Sequence, residues 1–498
     1  MTNEGNSIKM PLEDIRNERI RKRAELIERG IDPYPAHTSQ AHSIGKVIES
    51  FEKLAASQTR VTIAGRVMAK REHGGSTFFD LKDESGKIQG YVKGDILGES
   101  YALFLQTVDI GDFIEIRGKP FMTKKGERTI EADYWGMLAK SLRPLPEKWH
   151  GLQDVEERFR RRYLDLLINE EVKARMMIRS RVVRELRLWL SKKEFIEVET
   201  PMLHPIPGGA LAKPFATRHN ALDIDLYLRI APELYLKRLL VGGFERIFEI
   251  GKCFRNEGID PTHNPEFTML ELYGAWWDEE KMMKFVEDMF VSLAKRFGEA
   301  CAFEFAEQDI HIKKPFTRIT FTDVLGRYAL IPNYHKETAK SMTVHAQRLG
   351  IDVSPGESKG KIADEVYKKI CRPYLITPTF VIRHPLEISP LAKKTSAGAQ
   401  NVRRFQLIIG GFEMVNGFAE LNDPLDQRER FDAQARAHEA GDEEAHPIDE
   451  DFIEVLEYGM PPTAGIGVGI DRLVMLLTDT PNIKEVILFP TMKPKQAS

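Results

Sequence analysis

Five short runs between residues 60 and 140 alternate apolar and polar side chains: RVTIAGRVMAKR, STFFDLKD, KIQGYVK, DFIEIRGK and ERTIEADYW, parted by GG, ESG, GD and KKG. A period of two sends successive side chains to opposite faces, so each run reads as a strand with one buried side. The glycine-bearing breaks are turn signals. Beyond residue 160 the rhythm changes to helical spacing mixed with isolated strands, so one chain carries two differently patterned regions.

Five strands in so short a span are expected to close as a small barrel of the oligonucleotide-binding type, whose outer sheet carries aromatics that stack on bases. Phe78, Phe79 and Gln89 are the candidate contacts, and one of the two adjacent phenylalanines must face the core. Ahead of the barrel, residues 11–30 set Ile15, Ile20, Leu26 and Ile27 among charges and end at Gly30, the pattern of a helix with a glycine stop. After it, RPLPEKWHGLQD combines two prolines with a glycine and reads as a linker. The expected organisation is a helical extension over 1–55, the barrel over 56–142, a linker over 143–160 and a larger domain over 161–498.

That larger domain opens with a helix whose Ile178, Val182, Val183, Leu186 and Leu190 share one side, followed by a β-rich run closing at Pro201. This suits an edge or interface element as well as plain core packing. LYLRI, APELYLKRLLVGG and ERIFEI then alternate strand and helix without a βαβ rhythm, which points to an α+β fold on an antiparallel sheet flanked by helices. Proline-broken amphipathic pieces over 311–375 predict a helical insertion. The acidic DEEAHPIDEDFIEVLEYG predicts a solvated helix stopping at Gly459.

Composition excludes more than it identifies. The 498 residues suffice for two or three domains, and a formal charge of −3 gives no global sign of nucleic-acid binding. The arginine clusters Arg158, Arg160, Arg161, Arg162 and Arg179, Arg181, Arg184, Arg187 read as solvated helix faces. Three distant cysteines indicate neither a disulfide framework nor a zinc cluster. With no apolar run of about 18 residues and no signal-like N-terminus, no membrane partner is expected and a cytoplasmic location is.

The chemistry concentrates in FEIGKCFRNEGIDPTHNPEFTMLELY, residues 248–273, where an arginine, glutamates, a histidine and an aromatic ring interleave at strand and loop spacing. GIGVGIDRLVML, residues 465–476, adds a second arginine at the entry to an apolar helix. Neither segment is a Walker loop, and Gly465, Gly467 and Gly469 miss the dinucleotide spacing, which leaves tight helix–sheet packing as their simplest reading. A nucleotide here must be held by side chains and magnesium, with Arg255, Arg472 and Glu413 as candidates. Arginine supplies the bidentate fork that a transferring phosphoryl group requires.

These segments, with the preceding VETPML, IPGGA, YLRIAPELYLKRL, ISPLAKK and NGFAELNDP runs, resemble the class II lysyl-tRNA synthetases from about residue 10 to 492. The resemblance implies ATP and Mg2+ as cofactors, and L-lysine, tRNA(Lys) and a second copy of the chain, as a homodimer, as partners. It implies that Arg255 holds the α-phosphate and the amino-acid carboxylate, Glu257 accepts from the adenine amino group, and Phe267 stacks on adenine. His263 and Arg472 would take the outer phosphates and Glu413 the magnesium. Around lysine it places Gly208, Glu233, Arg255, Glu271, Tyr273, Asn416, Phe418 and Glu420, with Glu233 at the α-amino group and Glu271, Tyr273 and Glu420 at the ε-ammonium. Phe78 and Gln89 match anticodon-reading positions, and Arg255 and Arg472 are the catalytic pair.

The chain departs from the family pattern at Gln406, where a second magnesium-binding glutamate is usual, at Thr262, where common bacterial forms have arginine, and at Tyr134, near an anticodon-reading glutamate. A relative that lysylates a translation factor shares this core without the barrel, so residues 60–140 argue against it. An idle paralogue would be expected to lose pocket residues, yet Glu233, Arg255, Glu271, Glu420 and Arg472 are all present.

Overall fold

The computed structural model describes residues 11–146, 152, 154–439 and 447–495. The chain divides into two compact units between Leu152 and Gln153. Residues 147–151 and 153, within the expected linker, lie outside the described residues.

In the first unit, strands β1 (Val61–His73), β2 (Ser76–Lys82), β3 (Lys87–Lys93), β4 (Phe113–Met122) and β5 (Arg128–Ala139) close a barrel in the order β1-β2-β3-β5-β4. Closure pairs every strand on both sides and removes free edges. Alternate residues such as Ile63, Phe79, Leu81, Ile116 and Ile130 fill the interior. Leu26, Ile44, Val47 and Phe51 from the preceding helices share that core. The helix Leu12–Glu28 stops where expected: Gly30 takes φ 71°, and the N–H groups of Gly30 and Ile31 donate to the carbonyls of Ile27 and Leu26. Of its apolar residues Ile15, Ile20, Leu26 and Ile27 only Leu26 is fully buried, and Ile20 and Ile27 are exposed. Arg19 is buried instead, capping the carbonyls of Ile110, Ser141 and Arg143.

The second unit contains β6 (Ile196–Glu197), β7 (Leu203–His204), β8 (Phe215–His219), β9 (Ile224–Leu228), β10 (Arg246–Phe254), β11 (Glu266–Ala275), β12 (Ala302–Phe305), β13 (Gln308–His311), β14 (Thr317–Thr320), β15 (Thr379–Ile382), β16 (Arg404–Ile409), β17 (Phe412–Ala419) and β18 (Thr463–Gly469). Eight of them form one sheet, β14-β15-β16-β17-β18-β11-β10-β6. It is antiparallel throughout its centre and parallel only in the outermost pairs. Along β11 and β18 the even residues Leu270, Leu272, Ala464, Ile466 and Val468 join Val182, Leu186, Met289 and Leu473 of three helices in the main core. The odd residues therefore line the other face, and that face carries the site.

The structure corrects four expectations. The helical stretch begins at Phe321, since Gln308–His311 and the β-branched Thr317–Thr320 are strands, and Thr320 caps the helix Phe321–Tyr328 by accepting from the Asp323 N–H. The arginine clusters are only partly solvated: Arg161, Arg181, Arg184 and Arg187 are exposed as expected, whereas Arg162 is fully buried against Asp165 at 2.6 Å, Arg158 reaches Glu485 beside Arg175, and Arg179 meets Asp471 at 2.6 Å. Glu485 and Asp471 lie far downstream, so the local charge run does not show these pairs. The acidic helix Glu450–Glu457 is half-sunk, with Phe452, Ile453 and Leu456 buried and Gly459 at φ 95°; residues 440–446 lie outside the described residues. Finally, Gly465, Gly467 and Gly469 face away from the helix-packed side.

Candidate active site

The odd-residue face of the sheet floors a cavity of about 1830 Å3 in the second unit. Register lines up its floor in rows: Asn416, Gly467 and Glu271 across β17, β18 and β11, and Phe418, Gly465 and Tyr273 beside them. Among the glycines Gly465 is required by close approach. A Cβ on Gly465 would sit 2.4 Å from the Tyr273 ring and 2.5 Å from Glu420 Oε1. They open the floor, which is why the dinucleotide spacing is absent and unneeded.

At one end three carboxylates gather. Glu233, in the first turn of the helix Glu233–Val241, accepts from Lys237 Nζ at 2.6 Å. Glu420 Oε2 lies 2.5 Å from the same Nζ, although neither of its oxygens has a well-aligned donor. Glu271 accepts from the Tyr273 hydroxyl at 3.1 Å. All three acids are buried, and Lys237 is completely so. Burial pushes the Glu271 carboxyl up to about 8, with the Glu233 charge adding to it and the Tyr273 hydrogen bond opposing it. Glu233 and Glu420 are raised for the same reason, Lys237 pulling against the shift. Burial alone would depress the Lys237 ammonium, but Glu233 and Glu420 hold it above its ordinary value. Asn416 accepts from Arg404 at 2.8 Å, and the Phe418 ring lies 5.5 Å from Lys237 Nζ. Gly208 lines the cavity against Leu234, where a Cβ would meet Leu234 Cδ1 at 2.7 Å.

Farther along, the Arg255 guanidinium stacks 5.1 Å over the Phe267 ring, and its Nε is buried without a partner. Arg472, at the start of the helix Ile470–Leu477, donates to the Glu413 carbonyl at 3.2 Å and lies 3.0 Å from His263 Nε2. His263 in turn meets Asp260 at 2.8 Å. Asp471 fixes that helix by accepting from Arg179 and from the Thr268 N–H. Gln406 donates to Glu413 Oε2 at 2.7 Å, while its own Oε1 is buried and unpartnered. Glu257 is exposed at the cavity rim, and Thr262 bonds Asp260 and His263.

Sequence reasoning missed several neighbours. Lys237 stands four residues after Glu233, a spacing visible in ELYLK, but its second partner comes from far downstream. Arg229 pairs with Glu249 at 2.5 Å directly beside Glu271 in the sheet. Lys361, Lys368 and Arg372 of the insertion also line the cavity, and no local motif announces them.

On the barrel, Phe79 is buried and Phe78 faces outward, its ring 4.6 Å from Tyr91, which lies 6.0 Å from Phe121. Gln89 shares that face two residues from Tyr91 and accepts from Thr129 at 2.9 Å. Tyr91 and Phe121 belong to alternations visible in the sequence, yet only the pairing of β2, β3, β5 and β4 brings them to Phe78. Glu131 registers opposite Tyr91 in the parallel pair, whereas Tyr134 lies under Arg117 at 5.4 Å.

An antiparallel sheet that carries an arginine over an aromatic ring and a second arginine at the helix after its central strand has the architecture of a class II tRNA synthetase. The family model described as tRNA synthetases class II (D, K and N) matches residues 154–493, and that described as OB-fold nucleic acid binding domain matches residues 61–138. The lysine–tRNA ligase of Moorella thermoacetica is 48% identical over 97% of this chain and 98% of its own length. Those of Carboxydothermus hydrogenoformans and Pelotomaculum thermopropionicum are 49% and 48% identical, covering 96% and 97% of this chain. The chain belongs to the lysine–tRNA ligase family.

Proposed function

We propose that the cavity joins L-lysine to ATP and then transfers it to the 3′ end of tRNA(Lys), with the side chains above in the roles their chemistry allows. The single observation that carries this reading is the meeting of three buried carboxylates with Arg255 in one cavity. Two ammonium groups and one carboxylate of free lysine match that arrangement. Glu233 receives the α-ammonium, Glu271, Tyr273 and Glu420 surround the ε-ammonium, and Gly208, Asn416 and Phe418 shape the walls. Like charge rejects aspartate, and a neutral tail leaves buried carboxylates unpaired.

Arg255 then bridges the lysine carboxylate and the α-phosphate, Phe267 stacks on adenine, Glu257 accepts from its amino group, and His263 and Arg472 bind the outer phosphates. The lysine carboxylate attacks the α-phosphorus, pyrophosphate leaves, and a terminal ribose hydroxyl of tRNA later attacks the acyl carbon and displaces AMP. No side chain among the described residues is assigned as a general base. Acceleration comes from in-line placement and from guanidinium charge on the developing oxyanions. Glu413 and the unpartnered Gln406 Oε1 would hold one magnesium ion, which would supply positive charge to neutralise the phosphates there.

Lysine must enter as a cation beside ionised acids, so Glu271, raised to about 8, has to lose its proton. It is protonated below that pH in the free protein. The expected result is pyrophosphate exchange that requires lysine and Mg2+, with a KM for lysine that falls as pH rises from 6 and levels near 8. Exchange with no amino-acid dependence would remove this reading, and exchange without tRNA charging would indicate a protein acceptor.

The barrel face of Phe78, Tyr91 and Gln89 reads the anticodon. Stacking is worth about 1–3 kcal/mol per base, so Phe78→Ala should raise the KM for tRNA about tenfold or more while pyrophosphate exchange stays unchanged. Equal loss in both assays would contradict it. Exposed Met177, Leu188, Ile196, Met202, Leu203, Leu222 and Ile224 on the helix Glu170–Lys192 and around β6–β9 support a homodimer, which light scattering on the same preparation tests. Among the described residues no helix is long and apolar enough to cross a membrane, and we place the protein in the cytoplasm, where its substrates are.

A further inference from the structure

We propose that Lys237, sealed beneath the cavity floor, is a positioning residue that sets how many ammonium groups the cavity accepts: it cancels one of three carboxylate charges and leaves two for the α- and ε-ammonium groups of lysine. This rests on the lysine-binding reading above and deepens it.

Lys237 is fully buried and touches the substrate end only through other side chains, with Nζ 2.6 Å from Glu233 and 2.5 Å from Glu420. The groups facing this cluster come from four elements. They are Glu233 on the same helix, Glu271 and Tyr273 on β11, Arg404 on β16, and Glu420 just after β17; the Arg229–Glu249 pair behind Glu271 is internally balanced. Arg404 gives its hydrogen bonds to the neutral oxygens of Asn416, Ile388 and Ser389 and forms no ion pair with the three acids. When all three carboxylates are ionised, as lysine binding requires, the one ammonium paired with them leaves two negative charges facing the cavity. Free lysine brings two ammonium groups there, its carboxylate being turned to Arg255. Bringing charges together in a dry cavity favours the occupant that balances them and penalises one that does not. A monoammonium amino acid leaves one carboxylate unmatched, which must then keep its proton.

Without Lys237 the three carboxylates face two ammonium groups. The free cavity would hold an extra proton, and lysine would have to displace it. Isothermal titration calorimetry of the full-length protein with lysine, in two buffers of different ionisation heat at pH 7, counts protons released per lysine. Lys237→Met is expected to release about one proton more than the unaltered protein, and its log KM for lysine should fall more steeply with pH by about one power of ten per unit. Lys237→Arg keeps the charge and should release the original number. A folded Lys237→Met protein with an unchanged proton count overturns the proposal, because an ion pair that only braces the helix would lower stability without altering the count. Should that variant not fold, Lys237→Gln keeps a hydrogen-bond donor to Glu233 and Glu420 without the charge and is expected to release the same extra proton; an unchanged count there equally overturns the proposal. Failure of the parent reading is distinguishable, since the unaltered protein would then not bind lysine.

Discussion

Arg255→Ala should lower lysine-dependent pyrophosphate exchange by about a thousandfold or more, with most of the loss in kcat and a raised KM for lysine, whose carboxylate Arg255 also holds. Arg255 projects from the end of β10 over the Phe267 ring, and its Nε has no protein partner. A desolvated donor left unpaired in this way is held ready for an anion, and the charge that grows on the α-phosphoryl oxygens is the largest the reaction makes. Arg255→Lys keeps the cation but loses the planar fork, so it should recover only part of the rate. Binding of tRNA should survive both changes, because the barrel is a separate unit. A kcat within tenfold of the unaltered protein would remove Arg255 from the transition state.

Glu420→Gln is the second large effect, and it should appear in lysine binding. Glu420 is buried, Lys237 already leans on it, and Gly465 exists as glycine partly to make room for it. Breaking a buried charge pair costs roughly 3–5 kcal/mol, which is about two to four powers of ten in the KM for lysine. The KM for ATP should hardly move, since the nucleotide end lies at Phe267 and Arg472. The amide also removes one of the two carboxylates that hold Lys237, so a lower melting temperature should accompany the binding defect. Lysine kinetics that stay unchanged while the protein is destabilised would reduce Glu420 to a structural residue.

Much of this architecture is legible in the chain. The five alternating runs map onto the barrel strands, and FEIGKCFRNEG with PEFTMLELY onto β10 and β11. Patterning succeeds there because burial on one face of a strand acts on every second residue, and local sequence records it. It fails where the deciding partner is distant. Arg158, Arg162 and Arg179 look like solvated charges until Glu485 and Asp471 are brought to them. The glycines of β18 look like packing residues until Tyr273 and Glu420 arrive above them. Thr317–Thr320 looks like part of a helical insertion until β15 pairs with it.

The linear chain itself determined which side chains stand on the same face: Glu271 with Tyr273, Asn416 with Phe418, Phe78 apart from Phe79. A two-residue period needs nothing beyond the backbone to do this. Tertiary structure alone decided their charge. Glu271 is an ordinary acid by sequence and a carboxyl raised to about 8 in the folded cavity, and Lys237 is one cation among many until two glutamates close around it. Solvation and Coulomb energies depend on what surrounds a group in three dimensions, and those surroundings are assembled from β10, β11, β16, β17 and one helix, which meet only when the sheet is complete.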